Sequence, residues 1–203
     1  SIVRELYRLP DVSSDYRLTY TVYPDGRIGV EASLIPDKDA QLPEMLRFGM
    51  IAAMPKPMEN FSWYGRGPWE NYSDRNTASF MGEWNAKVAD MFYPYIRPQE
   101  TGNHTDVRHA SLTDATGLGL RIDGVQPLNV TALDVQPADL DPGMRKHQMH
   151  NSDVRHNRHN NFLYIDLVQR GLGGDDSWGA APHDPYIIPA GPMSFAFLLS
   201  PLQ

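Results

Sequence analysis

Short runs in which apolar and polar residues alternate are the feature that most restricts the fold of this chain. Residues 16–22 alternate in this way, and after a Pro-Asp-Gly turn the alternation resumes over residues 28–34. A period of two residues is typical of a strand with one buried face. The turn chemistry between the two runs predicts a hairpin.

Other short segments extend this pattern along the chain. Strands are predicted at 45–53, 61–64, 107–113, 118–122, 129–135, 162–169 and 193–200. Helical signals are few: Trp84, Val88 and Met91 are spaced for one face of a short helix, and residues 137–146 allow a turn or two. The 17 prolines and 16 glycines suit many turns. Residues 1–203 are therefore predicted to form one all-β domain, an antiparallel β-sandwich with long loops.

Composition excludes several classes of function. The net charge of −7 argues against nucleic acid or an anionic membrane surface as a partner. No apolar run approaches the roughly 20 residues of a membrane-spanning helix. The absence of cysteine excludes disulfides, thiolate metal sites and a cysteine nucleophile. A soluble protein is expected, and both cytoplasm and periplasm fit.

The most informative segment for function is the glycine-rich run 171–183, which follows a predicted strand and contains Trp178. An indole on such a loop suits stacking against one face of a sugar ring, and the alternative is a core indole. Asp175 and Asp176 resemble paired catalytic carboxylates. Side chains of adjacent residues diverge, however, so these aspartates are expected to shape the loop.

Segment 61–75 is the second unusual stretch. Arg66, Glu70, Asn71 and Asp74 offer hydrogen bonds to ligand hydroxyls. In the alternative, the loop supports itself, and Arg66 or Arg75 pairs with Glu70 or Asp74.

Two further groups of residues allow a functional or a structural role. Within segment 93–104, Glu100 and His104 suit general acid–base work if both face a pocket, and otherwise satisfy backbone groups of a turn. The second group consists of four histidines with the spacing of a metal site: His147, His150, His156 and His159. They stand among arginines and a lysine, whose positive charge opposes the binding of a cation. A solvated loop or an interaction surface is therefore favoured, and no metal site is predicted.

Taken together, segments 63–75, 93–103 and 173–179, with Pro182 and His183 after them, resemble the C-terminal small-chain domain (domain 5) of glycoside hydrolase family 2 β-galactosidases. They occur in the order and at about the spacing of that family. The resemblance implies a galactose-mutarotase-like supersandwich. It also implies that Trp178 is the tryptophan that reaches into the active site and stacks on the substrate. The residues around it would shape its loop: Gly173, Gly174, Asp175, Asp176, Ser177 and His183.

The same resemblance implies that most of the active site lies elsewhere. The catalytic glutamates of the family, and its magnesium and sodium ligands, belong to a TIM-barrel domain that this chain lacks. No catalytic residue and no cofactor are therefore expected in this chain. An upstream part of the family domain also has no counterpart here. The expected partners are a galactoside substrate, the barrel and other domains of a parent enzyme, and, through open sheet edges, a second copy.

The expected function is a share in the retaining hydrolysis of terminal β-galactosides, through a covalent galactosyl-enzyme intermediate. Two alternatives stay open at this point. One is a stand-alone carbohydrate-binding module, and the other is a mutarotase-like aldose epimerase.

Overall fold

The computed structural model describes residues 1–141, 143, 148–176 and 178–203. These residues form ten strands, one α-helical turn at Pro137–Leu140, and short 3-10 turns at Pro10–Val12, Val88–Asp90, Asn151–Asp153 and Asp184–Tyr186. The strands are β1 (Ile2–Leu9), β2 (Ser14–Val22), β3 (Ile28–Pro36), β4 (Arg47–Pro55), β5 (Asn60–Gly67), β6 (Phe80–Lys87), β7 (Asn103–Thr113), β8 (Gly119–Leu133), β9 (Asn160–Gln169) and β10 (Met193–Leu202). Over the described residues, no helix has the length and apolarity needed to cross a membrane.

Strand β8 organises the sheet. One path of antiparallel neighbours runs β1-β2-β3-β10-β8-β7-β5-β6. The first part of β8 pairs with β10, whereas its last part, residues 129–133, pairs with β9, which in turn pairs with β4. The sheet therefore divides at β8 into two arms.

The two arms pack face to face through aromatic side chains. Phe48 of β4 lies edge-on to Tyr16 of β2 and to Phe195 of β10, with ring centroids 6.1 and 5.5 Å apart. Phe48 and Phe195 are both buried. The contact places β4 over the arm formed by β2, β3 and β10, and confirms the predicted all-β antiparallel sandwich.

The predicted hairpin is confirmed as β2 and β3, which meet at the pair Val22 and Ile28. Its turn contains Gly26 with φ +85°. The predicted strands 118–122 and 129–135 are one continuous strand, β8. The polar residues between the two segments suggest a break, but Gln126 is held by hydrogen bonds to the backbone of Ala196, and the strand continues.

The short helix suggested by Trp84, Val88 and Met91 is wrong at Trp84, which lies in β6, and is reduced to a single 3-10 turn at Val88–Asp90. Strand β6 is an edge strand, and its inner positions, including Gly82 and Trp84, are only half buried. The alternation is therefore weak in the sequence. Strand β1 was not predicted either, because its side chains, such as Ile2 and Leu6, are mostly exposed.

Candidate functional site

Residues 171–186, called the glycine loop below, leave the sheet after β9 and return to the same point. The backbone N–H of Gly171 donates to the carbonyl oxygen of Tyr186 at 2.9 Å, so the two ends of the loop meet. A Cβ atom at position 171 would lie 2.7 Å from Oδ2 of Asp74 and 2.8 Å from Cβ of Tyr186. Glycine is therefore needed for this close approach. A compact loop with joined ends is an Ω-loop, a type that frequently carries function.

The limbs of the glycine loop are fixed to the sheet and to each other. The backbone N–H of Gly173 donates to Oδ2 of Asp74 at 2.8 Å. A Cβ atom at Gly174 would lie 2.2 Å from the carbonyl oxygen of Ala180, so the two limbs are in backbone contact there. The base of the loop is thus narrow and defined by tertiary contacts.

Trp178 lies near the middle of the glycine loop and is 91% exposed. Its backbone N–H donates to Oδ1 of Asp176 at 2.8 Å, and Gly179, the next residue, has φ +103°. Ser177 lies outside the described residues. The exposure does not fit the alternative of a core indole, and it leaves both ring faces accessible to a ligand. The stacking role itself stays a prediction.

The two aspartates before Trp178 have different partners. Oδ1 of Asp175 lies 2.8 Å from Nε2 of His183, which joins the two limbs of the loop, whereas Asp176 bonds to the backbone of Trp178. The side chains of Asp175 and His183 are 83% and 64% exposed. A contact this exposed contributes only up to about 1 kcal/mol. These contacts are of the kind that shapes a loop, and the two carboxylates do not share one site.

Carboxylates of segment 61–75 join the three motifs. The carboxylate of Glu70 accepts hydrogen bonds from the Tyr95 hydroxyl, from the Thr101 hydroxyl at 3.0 Å and from the Gly102 N–H at 2.6 Å. Asp74 binds the glycine loop through Gly173. Segments far apart in the chain are therefore held together at one end of the sheet.

The other polar residues of segment 61–75 are mostly engaged inside the protein. Nε of Arg66 donates to Oδ2 of Asp106 at 2.5 Å, and Oδ1 of the buried Asn71 accepts from the Thr105 N–H at 2.9 Å. Arg75 pairs with Glu70 at 2.6 Å. The structure therefore corresponds to the self-supporting alternative.

Glu100 and His104 do not form an acid–base pair. The His104 ring is fully buried, with its centroid 4.2 Å from that of Trp63 and Nε2 3.4 Å from the Pro68 carbonyl oxygen. Burial lowers the pKa of His104 to about 4, so the ring is neutral at pH 7. Glu100 instead lies 3.5 Å from Arg47. Glu100 and His104 therefore do not support the alternative of a mutarotase-like epimerase.

Asp166 on β9 is a buried carboxylate that none of the sequence motifs indicates. Asp166 contacts Nη2 of Arg47, and Glu100 shares the same guanidinium. A Cβ atom at Gly49 would lie 1.8 Å from Oδ1 of Asp166, so the glycine makes room for the carboxylate. The available signal was that Asp166 is the single acidic residue in the apolar run 162–169.

Asp166 is expected to make stability depend on pH. Burial raises the pKa of Asp166 to about 6, and the charge and hydrogen bond of Arg47 offset this only in part. Because the folded-state pKa exceeds the ordinary value of 3.8, the stabilisation by the protonated form is complete below pH 3.8 and is lost as pH rises through 6. Raising the pH from 4.5 to 7.5 should therefore lower the unfolding free energy of the parent sequence by about 2 kcal/mol. This pH-dependent loss should be absent in D166N.

Urea unfolding of both proteins across this pH range measures the effect. D123N is the control, because the ion pair of Asp123 with Arg121 is solvent-exposed on both sides. Parallel stability curves for D166N and the parent sequence would contradict the prediction.

The histidine-rich segment contacts the end of β8 through His156. Nδ1 of His156 and Nζ of Lys56 lie 2.8 and 3.0 Å from the carboxylate of Asp134. His147 lies outside the described residues, as do the neighbouring Arg145 and Lys146. Within the part of the chain that the structure describes, no group of three or more His, Cys, Asp or Glu side chains is arranged to hold a metal ion.

Comparison with known proteins extends these observations. The family model described as "Beta galactosidase small chain" matches residues 2–199. The β-galactosidase of Priestia megaterium is 37% identical over 91% of this chain, and that of Streptococcus thermophilus is 31% identical over 99%. The β-galactosidase BgaC of Bifidobacterium adolescentis is 35% identical over 84%.

The chain spans only a small part of these relatives. It covers 17% of the P. megaterium protein, 19% of the S. thermophilus protein and 16% of the B. adolescentis protein. Among solved structures, a galactose mutarotase related enzyme from Lactobacillus acidophilus is 10% identical and has a TM-score of 0.45, over 98% of this chain and 67% of that one.

Proposed function

The chain belongs to the beta galactosidase small chain family, and from this premise we propose that it completes the galactoside site of a larger β-galactosidase with the indole of Trp178. The observation that carries the proposal is an indole 91% exposed on a loop whose base is fixed by Gly171 and Gly173. An aromatic ring held in this way stacks on the apolar face of a sugar and excludes water from one side of it.

In this proposal the bond-breaking chemistry belongs to the rest of the parent enzyme. The reaction is hydrolysis of a terminal β-galactoside with retention, in which one carboxylate forms a covalent galactosyl-enzyme intermediate and the other acts as acid and base. Both glutamates, and the magnesium and sodium ions, would lie on a TIM-barrel domain. Asp175 and Asp176 support this division, because each is engaged within the loop.

A substitution at Trp178 in the full-length parent tests the stacking role. We expect W178A to lower kcat/KM for a nitrophenyl β-galactoside by about 10- to 100-fold, since loss of one stacked ring removes roughly 1.4–2.8 kcal/mol of transition-state binding. W178F should retain most of the activity. W69A is the control, because Trp69 is also exposed (77%) but lies outside the glycine loop.

Parent-like kcat/KM in W178A would contradict the proposal. Hydrolysis of the same substrate by the isolated chain 1–203 at enzyme-like rates would contradict the placement of the catalytic carboxylates. A stand-alone carbohydrate-binding module, in contrast, would bind galactose or lactose with quenching of Trp178 fluorescence. The proposal predicts weak or no binding of these small sugars, because most of the pocket comes from another domain.

A further inference from the structure

A groove runs along the foot of the glycine loop, and the stacking role of Trp178 does not use it. It consists of two adjoining cavities of about 450 and 320 Å³, which share the side chains of Gln99 and Leu172. The first cavity borders the loop residues Asp175 and His183, and the second extends to Gln169 at the end of β9. Cavities of this size are typical of small-molecule sites.

Polar atoms with no partner lie along this groove. Among the described residues, Oδ1 of Asp74, Oε1 of Gln169 and Nε of Arg170 are buried and lack a hydrogen-bond partner, and all three residues line the groove. Gln169 is only 9% exposed. Burying a polar group without a hydrogen-bond partner is energetically unfavourable. These three atoms lie beneath the surface of the groove and are shielded from solvent, so a ligand reaches them only when a neighbouring side chain moves.

The arginines of the groove are neutralised within the protein, which argues against an anionic ligand. Each of its three arginines contacts a carboxylate: Arg47 contacts Asp166, Arg75 contacts Glu70, and Arg170 contacts Glu44. On the loop side, Asp175 lies 2.8 Å from His183, and Asp74 accepts a hydrogen bond from the Gly173 N–H. A neutral ligand with many hydrogen-bonding groups fits this lining better than a phosphate does.

The groove also offers apolar surface beside its polar groups. Tyr186 and Leu172 line the first cavity together with Gln99 and Arg75. An aromatic or aliphatic surface combined with amide and guanidinium donors matches a sugar ring, which has apolar C–H faces and a rim of hydroxyls.

We propose that this groove is a subsite for further sugar units of an oligosaccharide, because it places unpartnered polar atoms and the Tyr186 ring beside the loop that carries Trp178. The inference rests on the proposed function for the nature of the ligand, a galactoside. It adds that the substrate class includes galactosides longer than a disaccharide. Sugar units beyond the one at Trp178 would lie along the foot of the loop.

Titration of the isolated chain 1–203 with a β-linked galactotetraose, followed by calorimetry and by the backbone amide NMR signals, tests this subsite. We expect the tetraose to bind at least 10-fold more tightly than galactose, with the largest shifts at the amides of Gly171 and Gly173. Gln99 is exposed and lines both cavities, so Q99A should weaken tetraose binding about 5-fold without unfolding the chain. Q41A is the matched control, since Gln41 is exposed and lines neither cavity.

W178A separates this inference from the proposed function. In the isolated chain we expect W178A to change the tetraose Kd less than twofold, because Trp178 does not line the groove. Tetraose and galactose binding with equal affinity, or tetraose binding lost in W178A but unchanged in Q99A, would overturn the groove subsite. If Q99A weakened tetraose binding while full-length W178A kept parent-like activity, the groove subsite would be supported and the stacking role of Trp178 would be overturned.

Discussion

Replacing Trp63 with alanine is expected to lower the free energy of unfolding by about 4 kcal/mol, because the cost of deleting a large buried aromatic side chain is about 3–5 kcal/mol. Trp63 is 1% exposed on β5, and its ring stacks on that of Phe61 with centroids 4.9 Å apart. Its Nε1–H donates to the Arg66 carbonyl oxygen at 3.0 Å. W63A would remove this donor, leaving the carbonyl only the longer hydrogen bond from Nδ2 of Asn71 at 3.3 Å, and would open a cavity beside the buried His104 ring.

Urea unfolding monitored by circular dichroism measures this change without relying on tryptophan fluorescence. W69A is the matched control, because it deletes the same side chain at a position that is 77% exposed, and its effect should stay within about 0.5 kcal/mol. A loss below about 1.5 kcal/mol in W63A would mean that the core around β5 repacks.

Replacing Glu70 with alanine is expected to cost about 3–4 kcal/mol, since removing one partner from a buried charged network leaves the others unsatisfied. The Glu70 side chain is 14% exposed. Its carboxylate accepts hydrogen bonds from Arg75, Tyr95, Thr101 and the backbone of Gly102. E70Q should cost less, about 1–2 kcal/mol, because the amide oxygen keeps part of the network.

The matched control is E83A, since the Glu83 side chain is 70% exposed on the edge strand β6. Its effect on the unfolding free energy should stay within about 0.5 kcal/mol. Equal stability of E70A and E83A would show that Glu70 does not tie segment 93–103 to segment 61–75.

The strands could be predicted wherever one face is buried and the other exposed. β2 and β3 show this alternation clearly, and their turn is marked by proline, aspartate and glycine. β1 and β6 could not be predicted, because edge strands expose most of their side chains and show little alternation of apolar and polar residues. The single strand β8 was read as two, because its continuity depends on contacts with Ala196 of β10.

The features of the candidate site also separate into those that the local sequence indicates and those that depend on tertiary contacts. Glycines and an indole in one short segment indicated a binding loop, and the three motifs together indicated the family. The contacts of Glu70 and the burial of His104 were open to two interpretations in the sequence. The role of Asp166 could not be predicted, since an acid within an apolar strand has no partner nearby in the sequence and Arg47 is 119 positions away.

The sequence by itself determined the class of fold, the main turns and the family, because alternation, turn residues and motif order are read from neighbouring positions. The tertiary structure decided which polar groups meet. Arg47 and Asp166 are separated by 119 positions, and Gly173 and Asp74 by 99. Such pairs depend on how β4, β8 and β9 are aligned and on how the glycine loop folds back. The exposure of Trp178 and the groove beside it are consequences of that long-range packing.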